Sequence, residues 1–117
     1  MGKNIREFAQ DMNEMVLQGK LVEAAEKYYA PAIKTIEFDG SVTYGKESAM
    51  KKLIDFMATI KRVKRIDLLR SVSDGQASFS EFILDFEMKD GTNLYLHEIV
   101  RALWENGQAI EERYFKG

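Results

Sequence analysis

Three turn signals in the second half of the chain constrain its fold more than any other feature. Ser73-Asp74-Gly75, Lys89-Asp90-Gly91 and Glu105-Asn106-Gly107 each set a glycine directly after Asp or Asn. That pairing suits a tight hairpin loop, because both residue types accept positive φ. From Val63 onward the apolar residues also change from a helical period to a strand period. Strands are predicted over Val63 to Asp74, Gln76 to Met88, Thr92 to Trp104 and Gln108 to Phe115. Four strands joined by tight turns pair in order as an antiparallel meander, and strands this long twist and curl.

The first half has the other period. Ile5, Phe8, Ala9, Met12, Met15 and Val16 form one apolar stripe of a helix that Asn4 can cap, with Glu7 three residues on and Gly19 at its end. A second helix carries Leu21, Ala24, Ala25 and Tyr28 and stops at Pro31, which lacks a backbone donor. A strand follows over Ile33 to Asp39. Alternation puts Ile33, Thr35, Glu37 and Asp39 on one of its faces, although Asp39 before Gly40 is also an ordinary turn residue. A third helix is predicted from about Lys46 to Thr59, burying Ala49, Met50, Leu53, Ile54, Met57 and Ile60, with Lys51, Lys52 and Asp55 in water.

Helices first and antiparallel strands afterwards give an α+β domain in which a strongly curved, cone-shaped antiparallel sheet wraps three N-terminal helices and leaves an internal pocket. With 117 residues, no repeat and no linker, the chain reads as one domain over residues 1–117, and 45% hydrophobic residues suffice for a core. The second strand of the meander alternates cleanly on one side, Phe82, Leu84, Phe86 and Met88. Its other side mixes Phe79, Glu81, Ile83, Asp85 and Glu87, as suits a face that is either solvated or covered by a second subunit.

Composition removes several function classes. The net charge is −2 with the signs interspersed, so there is no basic face for nucleic acid. The short cluster Lys61 to Arg65 follows a helix C-terminus, where cations are favoured. There is no cysteine, hence no thiolate metal site or cysteine nucleophile. The lone His97 has no partner at ligand spacing, so no metal and no cofactor are expected. Neither a signal peptide core nor a membrane-length apolar run is present, and the expectation is a soluble, cytoplasmic protein.

In its order of elements the chain resembles the nuclear transport factor 2-like superfamily, particularly its SnoaL-like and ketosteroid isomerase-like members. The resemblance runs from Ile5 to Phe115. It rests on the first helix and Gly19, the helix end Tyr28-Tyr29-Ala30-Pro31, the strand Ile33 to Asp39, the helix opened by Gly45, and the ending WENGQAIEERYF. It implies a cone fold, often dimeric, with a pocket inside, and a carboxylate on the first strand acting as general base. That position falls on Glu37. It also implies a polar group on the third meander strand facing the same pocket. Counting back from Gly107, the inward row is Leu96, Glu98, Val100, Ala102 and Trp104, which favours Glu98 over His97, and a shift of one residue reverses the choice. Two positions depart from the isomerase pattern. The oxyanion-hole tyrosine falls on Met12 and its companion acid on Val100 or Ile99, none of which donates a hydrogen bond, so steroid isomerisation itself is not expected.

The candidate site is then Glu37 and Glu98 as an acid–base pair, since two carboxylates in one cavity push one pKa up. Tyr29, Trp104, Tyr114 and His97 are candidate ligand contacts, from an aromatic set that also includes Tyr28, Tyr44 and Phe115. Against each stands a bland alternative: an exposed Glu37, a Glu98 tied to Arg101, Arg113 or a lysine, aromatics that are simply core. The expected function is binding of a small apolar or aromatic molecule, with isomerase, cyclase or hydratase chemistry, in a homodimer formed through the outer sheet face. The alternative is a non-catalytic dimeric scaffold whose cone is filled by side chains, and cavity volume discriminates the two.

Overall fold

The computed structural model of the chain describes residues 4–117, so the first three residues of the expected domain lie outside the described residues. Helix α1 spans Ile5–Leu17, α2 Leu21–Tyr28 and α3 Lys46–Ala58, and the strands are β1 Tyr29–Ile36, β2 Val42–Tyr44, β3 Ile60–Asp74, β4 Ala77–Met88, β5 Asn93–Glu105 and β6 Gln108–Lys116. The Asn4 side chain caps α1 by accepting from the Glu7 backbone N–H at 3.0 Å. Gly19 ends that helix with a φ of +78°, a conformation glycine adopts without steric cost.

The sheet has six strands in the order β2-β1-β6-β5-β4-β3. Strands β3 to β6 pair antiparallel in sequence order, which is the expected meander, and the whole is the expected α+β cone, an open curved sheet around helices. Two features differ from the sequence reading. The sheet is mixed, because β1 lies parallel to β6, and β2 adds a short antiparallel edge to β1. Pro31 does not end α2, which stops at Tyr28. It lies inside β1, where the β1–β6 register slips between Tyr29 and Lys34. Such an irregularity tolerates a residue with no N–H to offer the ladder.

Helix α3 is also rotated relative to expectation. Its inward line runs through Ala49, Leu53 and Phe56, with Phe56 edge-on to Phe86 at 5.9 Å between ring centroids. Ile54, predicted to be buried, is 49% exposed.

Two apolar clusters fill the cone. One joins α1, α2 and α3 to Tyr28, Tyr29, Ile33 and Trp104, with Trp104 stacked on Phe8 and edge-on to Tyr28. The other is built on Phe82, Leu84 and Phe86 of β4. Among the described residues no helix is long and apolar enough to cross a membrane.

Candidate functional site

Between the two clusters lies a cavity of about 330 Å³. Alternation along the long strands supplies its walls. Ser78, Ser80, Phe82, Leu84 and Phe86 of β4 face it, as do Leu96, Glu98, Val100, Ala102 and Trp104 of β5. Met12, Asn13 and Val16 of α1 and Leu53 and Phe56 of α3 close the other side. The lining residues most open to water are Phe38 and Lys52, which marks their end as the mouth.

The most buried acid of the cavity is Glu112 on β6, only 4% exposed. Its Oε1 accepts from the Tyr29 hydroxyl at 2.6 Å and from the Tyr114 hydroxyl at 2.7 Å. Burial raises its carboxyl above the ordinary carboxylate value, and the two tyrosine donors pull against that rise by solvating the charge. The same burial, aided by the neighbouring Glu112 charge, lifts both phenols well above their usual range. Glu112 escaped the sequence reading, yet a signal was available. It stands two residues before Tyr114, hence on the same face of the strand.

Glu98 lines the cavity from β5, opposite Phe82 and Lys116 in the ladder. No hydrogen bond or ion pair holds it among the described residues, and its surroundings are felt as burial first, then the charges of Glu112 and Glu37. Together they push its pKa up to about 7. Its neighbour His97 points the other way. The ring lies 2.6 Å from Glu81 Oε2 on the outer face, so of the candidate ligand contacts His97 is the one that does not reach the cavity. The cause is the pleat: adjacent side chains on a strand project to opposite faces.

Glu37 follows β1 directly and lines the cavity near its mouth, paired with Lys52 of α3 at 3.1 Å. Lys52, read from sequence as a purely solvated residue, therefore belongs to the site's rim. Tyr29, Trp104 and Tyr114 line the cavity, with the Trp104 indole N–H donating to Ser78 Oγ at 2.9 Å. Tyr28 is in the aromatic core, Tyr44 is exposed and Phe115 is partly exposed between two arginines. Asp39 is a turn residue, its Oδ1 accepting from the Ser41 N–H at 2.9 Å. Met12 and Val100 both line the cavity, so neither position of the isomerase donor pair holds a donor. No group of three or more His, Cys, Asp or Glu among the described residues is placed to hold a metal ion.

No protein-family model and no curated protein matches the chain. Solved structures match along most of its length. A protein from Mesorhizobium loti provisionally named a SnoaL-like polyketide cyclase is 28% identical, with a TM-score of 0.86 over 97% of this chain and 99% of its own. A protein with a ketosteroid isomerase-like fold from Catenulispora acidiphila, in complex with trimethylamine, is 12% identical, with a TM-score of 0.72 over 88% of this chain and 80% of its own. TerC, co-crystallised with polyporic acid, is 11% identical, with a TM-score of 0.73 over 95% of this chain and 89% of its own.

Proposed function

We propose that this chain, which belongs to the nuclear transport factor 2-like superfamily with SnoaL-like and ketosteroid isomerase-like folds as its structural neighbours, binds a small, largely apolar molecule in its internal cavity and transfers a proton on it through Glu98. The observation that carries this reading is a carboxyl group without a partner among the described residues, in the wall of a mostly apolar cavity of about 330 Å³. That volume lies at the lower end of the range typical of small-ligand sites, about 300–1,000 Å³, and it favours a ligand site over a filled scaffold.

A general acid–base works best when its pKa lies near the working pH, because both protonation states are then populated. Glu98, at about 7, meets that condition. It takes a proton from an acidified C–H or O–H of the ligand and returns it at another atom, which is the core step of isomerisation, cyclisation or dehydration. Glu112 is occupied by Tyr29 and Tyr114 and acts through charge and shape. Glu37, held by Lys52, is a polar anchor at the mouth rather than the base that the first-strand position suggests. Trp104, Phe82 and Phe86 supply the apolar surface that excludes water and strengthens every electrostatic contact inside.

Carbon-detected NMR titration of the glutamate carboxyls, with Glu98→Gln to assign the signal, tests the reading. A Glu98 midpoint near neutrality is the expected result. A midpoint at the ordinary value of about 4.3 would remove the acid–base role and leave only a binding cavity.

A second surface supports the homodimer reading. Val72, Tyr95 and Phe115, on the side of the sheet away from the cavity, are exposed large apolar residues. They surround the ion pairs of Glu81 with Arg70 and His97. We infer that this face meets a second copy of the chain.

A further inference from the structure

The hydrogen-bonding groups of the cavity are unevenly spent. Its stronger donors are already used within the protein. The Tyr29 and Tyr114 hydroxyls both go to Glu112 Oε1. The Trp104 indole N–H goes to Ser78. The Asn13 amide goes to Ser80 at 2.9 Å and Ser71 at 3.3 Å. The Lys52 ammonium is shared by Glu37 and Thr43. What remains is mostly acceptors: the Glu98 carboxyl, the second oxygen of Glu112, and the hydroxyls of Thr35 and Ser78, which accept as readily as they donate.

Charge runs the same way. Glu37, Glu98 and Glu112 line the cavity against the one ammonium of Lys52, which is already in an ion pair. An anionic ligand would lose its hydration among three carboxyl groups and find few donors to replace it, which disfavours its binding. The acids do not converge as a metal site requires. An organic cation, by contrast, brings the donors that the wall lacks, and its hydrocarbon part matches the aromatic surface.

Building on the reading of the cavity as a ligand site, we propose that its ligand class is the apolar amines. The ammonium head donates to Glu98 in the field of Glu112 and Glu37, and the hydrocarbon part lies against Phe82, Phe86 and Trp104.

Calorimetry on the purified protein near neutral pH with three matched probes tests this: 2-phenylethylamine, 2-phenylethanol and 3-phenylpropionate. The amine is expected to bind on the order of tenfold more tightly than the alcohol, as a charge-assisted hydrogen bond is stronger than a neutral one, and the carboxylate weakest. Glu98→Gln should erase the amine's margin over the alcohol. A readout independent of that variant's folding is the Glu98 carboxyl carbon resonance of the wild type, which should move toward its ionised position with the amine and not with the alcohol. If the alcohol or the carboxylate binds as tightly as the amine, the amine assignment is overturned while the cavity remains a ligand site. If none of the three binds, both readings are overturned.

Discussion

At the scale of single residues, the candidate site carries a stability cost that pH should reveal. Glu98 has a folded-state pKa of about 7 against an ordinary 4.5, so between those values the folded chain holds a proton that the unfolded chain has released. Stability contributed by this group is therefore lost as pH rises through that window. Glu98→Gln keeps the shape and cannot ionise. It should match wild type in urea unfolding to within about 0.5 kcal/mol near pH 4.5, and exceed it by about 3 kcal/mol above about pH 8. A flat difference across that range would mean that Glu98 is solvated in the folded state. The inward row of β5 was legible in the sequence, because an acid among Leu96, Val100, Ala102 and Trp104 follows from alternation alone. The Tyr29–Glu112 bond was not, because it forms only after β1 and β6 pair, and nothing local to either strand announces that pairing. Glu37 was assigned a catalytic part on its place in the chain, and its ion pair with Lys52 is the observation on which we propose an anchoring part instead.

At the scale of elements, periodicity located α1, α2, α3 and the meander to within a few residues, and it failed where tertiary contact decides between adjacent faces. In α3 the apolar residues Met50, Leu53, Ile54 and Met57 form a broad stripe, and sequence alone centres the buried face on it. The sheet instead selects the line through Ala49, Leu53 and Phe56, because Phe86 offers Phe56 an edge-on aromatic contact. Phe56→Ala should then cost about 2 to 4 kcal/mol, and Ile54→Ala less than about 0.5 kcal/mol, both measured by chemical denaturation. Equal costs would return the buried face to the centre of the stripe. The short β2 was missed for a different reason. Its three residues are too few to show a period, and it exists because the turn at Asp39 and Gly40 folds the chain back onto β1.

At the scale of the whole molecule, the cavity side and the outer side of the same sheet are given different tasks. Residues of one parity meet the cavity and residues of the other meet the outer surface, so a single strand such as β5 serves both through Glu98 and His97. If the outer face joins two copies, the protein should sediment as a dimer, and the double variant Val72→Asp, Tyr95→Asp should sediment as a folded monomer with an unchanged cavity. A wild type that sediments as a monomer at every concentration tested would leave that face to solvent.

The parallel pairing of β1 with β6 has one more consequence, and it concerns time. The bond between Tyr29 and Glu112 spans 83 positions of the chain, so the polar floor of the cavity cannot assemble during synthesis until β6 has emerged. Hairpins β3–β4 and β4–β5 can zip up while synthesis continues, whereas closing so long a loop is an entropically costly step that contacts of this kind impose on folding. Until β6 pairs with β1, the cavity stays unsealed at one side, and its floor closes in a single late step.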